Sequence, residues 1–436
     1  MQFVVEIISE EDFIARAKEA ARSFLSFGSY LLRHADMNTS KRLYVTCVKE
    51  ATELEDFLDD HGARNNKQWL FFGELVASIR NISSTAYLIT HMLSRIKFYR
   101  LNATRSAAFI KDANKVLEFL YKALHALFSE ALQEAERRGL TMPTSNITEE
   151  SFQDSIVTRM LPQNIDTEGS PDIHGSVTRI ATDFIAISNA CRSILIEKKV
   201  STSKIDPTLI PSKINEETLR NFESRMHNAQ SMYDTYIQKT PFESENELLP
   251  QFRGHISITL HLLGVARELC HFFERHVVSI RHEASRKKIS KLVPRDKIFN
   301  VIINFALYFY TQFLRDGHAI AEQLLKDFTV VETITVPVPQ GLGFHLRPST
   351  LVAKIVNHYG SKVTMLVNGR EFDAGSVIDI MWAGGMIKKE GVSEVMFRGD
   401  KNAVRDLKIL AEANYGEDTM GTATPLPPEI AYLRQD

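Results

Sequence analysis

Cysteine is scarce in this sequence, and the few cysteines form no recognisable motif. Cys47, Cys191 and Cys270 are odd in number, lie far apart and include no CxxC pair. A disulfide framework would show an even set of cysteines and a cysteine-based zinc site would show close pairs, so the sequence indicates neither. We therefore expect a protein of the reducing cytoplasm.

An excess of charge of one sign is also absent. The chain has 436 residues, with 52 Lys and Arg against 54 Asp and Glu, which gives a formal net charge of −2. This balance does not favour binding to a nucleic-acid backbone or an anionic membrane by charge alone, so we expect neither as a partner. The N-terminal residues lack the basic start of a secretory signal, and no export is expected.

Long hydrophobic runs are missing as well. The longest apolar run, at residues 301–313, is interrupted by Asn304, Thr311 and Gln312. It is shorter than the ~20 residues that a membrane-spanning helix needs. We therefore expect this run to form a buried helix.

Glycine and proline are few between about residues 10 and 328, where apolar residues recur at helical spacing. This pattern predicts an all-α region. Two breaks rich in proline and glycine interrupt it, at residues 139–175 and 199–214, and the first is the better domain boundary. The length of the chain predicts several domains.

The two helical halves share a weak internal similarity. A shift of 180 residues superimposes four residues of the first half on identical residues of the second: Phe72, Ala86, His91 and Arg95 on Phe252, Ala266, His271 and Arg275. Two amphipathic helices in phase share apolar positions in any case, so duplication of a helical lobe and coincidence both stay open.

After residue 328 the pattern changes to short strands and helices. Residues 331–338 alternate as a strand, residues 346–359 carry an apolar helical stripe, and Asn368-Gly369 joins two further short strands as a hairpin. A second helix is predicted to start after Ser376 and to end at Gly384-Gly385.

A last strand is predicted at residues 392–398, and Asp400 is predicted to cap a final helix. The order βαββαβα predicts an α+β open-faced sandwich, an antiparallel sheet with helices on one face. The fold class is thus multidomain, a large all-α N-terminal region followed by a C-terminal α+β domain. The predicted boundaries are a helical lobe at 1–140, a linker at 141–173, a second helical lobe at 174–328, the α+β domain at 329–418 and a tail at 419–436.

One hexapeptide of the α+β domain, GFHLRP at residues 343–348, carries the chemistry. His345 stands just before a helix start, Arg347 follows two residues later, and Pro348 fits the first turn because it needs no hydrogen bond there. Free backbone N–H groups and the helix dipole make such a helix start a phosphate site. Imidazole is a nucleophile near neutral pH, and a guanidinium neutralises a phosphoryl group. The arrangement suits a transient phosphohistidine.

The segment 331–417 resembles the phosphocarrier HPr of the phosphoenolpyruvate-dependent phosphotransferase system. The resemblance rests on GFHLRP, on DAGSVIDIM at residues 373–381, and on the spacing of 31 residues from His345 to Ser376. It implies that His345 accepts a phosphoryl group on Nδ1 from an Enzyme I-type donor and passes it to a downstream acceptor protein. It also implies that Arg347 stabilises that group, and that Ser376 is a site for an HPr serine kinase, beside its role as a helix N-cap.

The resemblance further implies a docking surface for partner proteins, made by the first two helices of the domain: Leu346, Thr350, Lys354, Val377, Ile378 and Met381. Some of these apolar residues could instead face the sheet. Leu346 replaces the usual small residue beside the histidine, and Gly375 replaces the usual lysine before the serine. Trp382 would extend the surface if exposed, although a buried tryptophan is the commoner outcome.

The helical region offers no comparable signal. Five histidines crowd one segment, His255, His261, His271, His276 and His282, but those that share a helix face are roughly 15 Å apart, too far for one metal ion. We expect no metal and no cofactor. The favoured function is a phosphocarrier or regulatory protein, a carrier rather than a turnover enzyme, that relays or senses phosphate through the helical module. The alternative is a helical scaffold or sensor whose HPr-like domain serves only for docking. Self-association through the helical region stays open.

Overall fold

The structure is a computed structural model that describes residues 7–34, 40–140, 147–152, 161, 173–201, 209–278 and 283–434. The described part of the N-terminal region is helical, as predicted. Its α-helices are α1 (Glu10–Ala20), α2 (Arg22–Arg33), α3 (Lys41–Asp60), α4 (Leu70–Arg95), α5 (Ala103–Arg137), α6 (Ile173–Ala190), α7 (Leu209–Ser212), α8 (Glu216–Tyr236), α9 (Pro241–Glu245), α10 (Leu248–Phe272), α11 (Glu283–Leu292), α12 (Arg295–Asn300) and α13 (Tyr308–Phe328).

The chain divides into two compact units. Unit 1 consists of Met1–Ile165, Ser188–Asn228 and Pro250–Gly317, and unit 2 of Asp166–Ile187, Ala229–Leu249 and His318–Asp436. Most of the predicted linker at 141–173, with its prolines, lies outside the described residues. The division into two successive helical lobes therefore stays a prediction.

Two long helices, α4 and α10, pack against each other in unit 1. The ring of His91 contacts that of His261, and the side chain of Leu88 reaches the backbone of Gly264. The later residue of α4, His91, thus contacts the earlier residue of α10, His261, so the two helices run antiparallel. Gly264 allows this approach, since a Cβ there would lie 3.1 Å from Leu88 Cδ1.

One stretch, Leu248–His276, is long and apolar enough to cross a membrane by length and composition alone. It consists of α10 and the first residues of a π-helix at Phe273–Val278. The share of its most apolar window that is buried inside the protein is 78%. This burial is typical of a core helix, whose apolar faces contact other helices rather than lipid.

The apolar run at 301–313 is buried, as predicted, but its first half differs from the prediction in form. Val301–Leu307 is a π-helix, and α13 continues from it. Two of the polar residues that interrupt the run have hydrogen-bonded side chains: Asn304 exchanges two hydrogen bonds with the backbone of Val200, and the Thr311 hydroxyl accepts one from the Ile196 N–H. These bonds offset the cost of burying polar groups.

The C-terminal part of unit 2 is an α+β domain, which confirms the predicted fold class. Its strands β1 (Val331–Pro337), β2 (Thr364–Val367), β3 (Arg370–Asp373) and β4 (Glu394–Asp400) form an antiparallel sheet in the order β1-β4-β2-β3. Helices α14 (Leu346–Tyr359), α15 (Val377–Glu390) and α16 (Lys401–Glu412) alternate with them along the chain. Side chains of the sheet and of all three helices form one hydrophobic core.

Local sequence signals set most element ends in this domain. Gly360 ends α14 in the left-handed conformation, with φ of 61°, and Asn368 and Gly369 both have positive φ, as a two-residue hairpin turn requires. The Ser376 side chain caps α15 and the Asp400 side chain caps α16, as predicted.

The predicted end of α15 is wrong. The helix does not stop at Gly384-Gly385 but continues to Glu390, where Gly391 adopts φ of 67°. Gly384 has another purpose, because a Cβ there would lie 2.6 Å from the backbone oxygen of Phe344. The glycine lets the helix approach the loop that precedes His345, and the buried Ile387 anchors the following turn in the core.

The C-terminal tail packs onto the α+β domain. Ile430 and Leu433 are buried in its core, and the Tyr432 hydroxyl donates a hydrogen bond to Asp406 Oδ2 at 2.8 Å. The ring of Tyr432 also stacks on that of His358, with 4.0 Å between centroids. The last segment of the chain therefore belongs to the same packed domain.

Candidate functional site

His345 stands at the N-cap of α14, at the end of a glycine-containing loop. Gly341 and Gly343 both have positive φ, 91° and 68°. The His345 N–H donates to the Gly343 oxygen at 2.9 Å, and the His345 oxygen accepts from Ser349 N at 3.1 Å. The loop thus fixes the backbone of His345 directly before the first turn of the helix.

The two ring nitrogens of His345 face different oxygen acceptors. Nδ1 lies 3.1 Å from the Gly343 carbonyl oxygen, and Nε2 lies 3.1 Å from Glu417 Oε1. A neutral imidazole carries one proton, so it can donate to only one of them. A proton on Nε2, held by the carboxylate, leaves the lone pair on Nδ1. The side chain is 34% exposed, so the ring is within reach of a reaction partner.

Glu417 joins His345 to Arg347. Its Oε1 also lies 3.2 Å from Arg347 Nη1, which in addition donates to the Gly421 carbonyl oxygen at 3.1 Å. The Glu417 side chain is only 1% exposed, whereas that of Arg347 is 48% exposed. The buried carboxylate therefore contacts both basic groups, while part of the Arg347 guanidinium stays open to solvent.

Glu417 was not predicted as a site residue. It follows the last helix, 70 positions after Arg347, in a stretch without periodicity. A tight turn brings it back: the carboxylate of Asp418 accepts the N–H groups of Met420 and Thr422, and Glu417 forms a β-bridge with Ala423. Hydrogen bonds from backbone N–H groups, most of all that of Thr422, lower the pKa of Asp418. The carboxylate that organises this turn therefore stays ionised.

The site has the parts that an incoming phosphoryl group needs. The N–H groups of Leu346 and Arg347 lie in the first turn of a 14-residue helix, where no preceding carbonyl is available to them. They and the positive end of the helix dipole stand next to the imidazole. The half-exposed guanidinium of Arg347 adds a full positive charge. A nucleophile and an anion-binding helix end therefore share one place.

Ser376 lies at the start of the second helix, and its hydroxyl accepts a hydrogen bond from the Asp379 N–H at 3.3 Å. This confirms the predicted N-cap. Ser376 is half-buried and lies two positions before the exposed Ile378.

The residues that the resemblance assigns to docking are largely at the surface. Leu346 is 63% exposed, Ile378 67% and Met381 40%. Trp382 is 76% exposed, so the expectation that a tryptophan is buried is wrong here. Trp382 follows Met381 directly and lies one turn after Ile378, so the three share an exposed face of α15.

The other three assigned residues are less free. Val377 is half-buried and packs against the core of the domain, and Thr350 donates its hydroxyl proton to the Leu346 carbonyl of its own helix. The ammonium of Lys354 lies 3.5 Å from the Leu433 carbonyl of the docked tail. The apolar patch is therefore formed by Leu346, Ile378, Met381 and Trp382.

Two of the crowded histidines of the helical region pair with carboxylates. His271 Nδ1 lies 2.8 Å from Glu216, and His276 Nδ1 lies 2.5 Å from Glu74. His255 Nδ1 lies 2.9 Å from the Phe313 carbonyl, and His282 lies outside the described residues. Among the residues that the structure describes, no group of three or more His, Cys, Asp or Glu could hold a metal ion.

Most of the α+β domain matches a known family. Residues 332–411 match the PTS-HPr family, described as "PTS HPr component phosphorylation site". The α+β domain is therefore HPr-like, in agreement with the resemblance seen in the sequence, while the N-terminal region matches no family. No curated protein and no solved structure matches the chain significantly.

Proposed function

We propose that the HPr-like domain of this protein accepts a phosphoryl group on His345 from an Enzyme I-type phosphohistidine donor. The observation that supports this most is the joint contact of Glu417 with His345 and Arg347, at a helix start within the segment that matches the HPr phosphorylation-site family. The domain then relays the group to an acceptor protein or reports the phosphorylation state through the helical module, which adds regulation to the role of a carrier.

The transfer step uses these groups in sequence. Glu417 accepts a hydrogen bond from the Nε2–H and so keeps the lone pair on Nδ1, which turns from the Gly343 oxygen toward the donor. The bond between phosphorus and nitrogen in the donor breaks as the bond to Nδ1 of His345 forms, and no electrons are gained or lost. Arg347 and the first N–H groups of α14 offset the charge of the phosphoryl oxygens during transfer.

The direct test is incubation of the full chain with phosphoenolpyruvate and Enzyme I from the same source. We expect one acid-labile phosphate per chain, because a phosphohistidine is stable to base and lost in acid. No incorporation under conditions in which a standard HPr is fully labelled would contradict the proposal and favour a domain that serves only for docking.

Glu417→Gln is expected to lower the rate of phosphoryl incorporation about tenfold, because a neutral amide holds the Nε2 proton and the guanidinium less firmly than a buried carboxylate does. The rate with Enzyme I and the imidazole 15N shifts of His345 are measured together. We expect the shifts to show a smaller share of the Nε2–H form. Glu412→Gln, an exposed glutamate of α16, is the control. Unchanged rates and shifts in Glu417→Gln would show that the carboxylate fills space in the fold and does not set the proton position of His345.

Ile378→Asp is expected to raise the KM of the Enzyme I reaction about tenfold, a loss of about 1.4 kcal/mol of docking energy, with little change in kcat. The reason is that Ile378 is a highly exposed member of the apolar patch and lies apart from His345 in the chain. Met396→Asp places the same charge on an apolar residue of β4 that is 40% exposed and outside the patch. Equal KM increases in both variants would contradict docking through the patch.

We also propose Ser376 as a regulatory phosphorylation site and the cytoplasm as the location. A phosphate on Ser376 would be tolerated at a helix N-terminus, yet it would add negative charge beside the apolar patch and weaken docking of an acidic partner. The three cysteines are free and buried, and burial raises the pKa of Cys47 to about 12, which suits unpaired thiols in a reducing compartment.

A further inference from the structure

Two backbone segments meet beside the imidazole of His345. They are the loop at residues 338–344, which we call the histidine loop, and the turn at residues 417–423, which we call the acidic turn. The two segments pack so closely that a Cβ on Gly341 would collide with a backbone oxygen of the acidic turn. Glycine allows a loop many backbone conformations, so the position of the histidine loop relative to Glu417 depends on further contacts.

The side chain of Asn414 connects the two segments. Its Oδ1 accepts a hydrogen bond from the Gln340 N–H at 2.8 Å, and its Nδ2 donates one to the Glu417 carbonyl oxygen at 2.9 Å. These partners fix the orientation of the amide, because an N–H must face the amide oxygen and a carbonyl must face the amide nitrogen. One side chain therefore binds the histidine loop and the acidic turn at the same time.

The backbone around Asn414 is left-handed, with φ of 45° at Asn414, 55° at Tyr415 and 75° at Gly416. A bulky side chain rarely adopts this conformation, which persists where surrounding contacts impose it. The fully buried Tyr415 has such contacts: its hydroxyl donates to the Pro337 carbonyl oxygen at 2.9 Å, and its ring meets that of Phe344 edge to face, 5.0 Å between centroids. The chain that leaves α16 is thereby fixed to both ends of the histidine loop.

Granted the phosphoryl transfer to His345 proposed above, we propose that Asn414 is a positioning residue for this step. Its amide holds Glu417 where the carboxylate meets His345 Nε2 at 3.1 Å, and this contact leaves Nδ1 free for phosphorus. Asparagine suits the position because it offers both a donor and an acceptor and tolerates a left-handed backbone. An aspartate would turn an oxygen toward the Glu417 carbonyl, and an alanine would lose both hydrogen bonds.

The test compares Asn414→Gly with Asn368→Gly in the full chain. Glycine accepts the left-handed backbone, so Asn414→Gly removes both hydrogen bonds without a change of charge. Asn368 is the matched control, because it also has a positive φ, 46°, and its amide donates to Glu390 Oε2 beyond the hairpin. In Asn414→Gly we expect the imidazole 15N shifts of His345 to show a ratio of Nε2–H to Nδ1–H forms about fivefold lower. The control should keep the ratio of the wild type.

Phosphoryl incorporation from Enzyme I supplies a second readout. We expect Asn414→Gly to lower kcat about fivefold and to leave KM unchanged, because the amide acts on the position of Glu417 and not on docking. In a Glu417→Gln background, Asn414→Gly should lower kcat little further, since a positioning residue acts through the group that it places.

The proposal is overturned if Asn414→Gly leaves the tautomer ratio of His345 unchanged or if both glycine variants change it equally. It is also overturned if the effects of Asn414→Gly and Glu417→Gln on kcat simply multiply. The tautomer ratio is measured without Enzyme I. A wild type that takes up no phosphate would therefore contradict transfer to His345, whereas an unchanged ratio would contradict the role of Asn414.

Discussion

Replacing His345 with alanine is expected to reduce acid-labile phosphate incorporation from phosphoenolpyruvate and Enzyme I by about 1000-fold or more, to background. The imidazole is the group that forms the bond to phosphorus, so its loss removes the acceptor itself rather than one of its supports. Arg347, Glu417 and the helix end would remain, but none of them is a nucleophile suited to this transfer.

The matched control for His345→Ala is His358→Gln, on the same helix. His358 lies near the end of α14, and its ring stacks on Tyr432 instead of facing Glu417. We expect this variant to be labelled at the normal rate, with any effect confined to stability. Equal labelling of the wild type and His345→Ala would mean that the phosphoryl group resides elsewhere, and loss of labelling in both variants would point to a folding defect.

A large effect on stability is expected from Gly384→Ala. The new Cβ would lie 2.6 Å from the Phe344 oxygen and 3.0 Å from Phe344 Cβ, so either α15 or the loop before His345 must move. Overpacking of this kind costs about 2 kcal/mol. Gly385→Ala is the matched control, because it lies in the same helix and has nothing within 4 Å of its added Cβ. Both variants gain the same ~1 kcal/mol of helix propensity, so their difference isolates the contact.

Amide hydrogen exchange of α14 and α15 in the full chain measures this difference directly. We expect exchange about 30-fold faster in Gly384→Ala than in Gly385→Ala, which corresponds to about 2 kcal/mol. Gly384→Ala should also be labelled more slowly, because Phe344 precedes His345. Equal exchange in the two variants would show that the approach of α15 to the loop is not tight.

The α+β domain was predictable because its signals are local. Asn368-Gly369, Gly360 and the caps Ser376 and Asp400 each set a turn or a helix end with residues only a few positions apart. The end of α15 was mispredicted because Gly384 is needed for a close contact with the distant loop at Phe344. The residues around Gly384 carry no sign of that contact. Periodicity alone treats such a glycine as a stop signal.

The site was predictable to the extent that it is contained in one hexapeptide. His345 and Arg347 lie two residues apart, but Glu417 reaches them only through the turn built by Asp418, so no spacing rule finds it. The contact between Lys41 and His91 was missed for the same reason, since the two residues come from different helices. Helical periodicity predicts faces of helices but not which two faces meet.

The most direct test of the central claim is a two-dimensional 1H–15N spectrum of the histidine rings before and after incubation with phosphoenolpyruvate and Enzyme I. We predict a phosphoryl group on Nδ1 of His345, with the Nε2 proton retained and held by Glu417. The account would be contradicted by a phosphoryl group on another histidine, or by a His345 ring that stays unchanged while the protein is labelled.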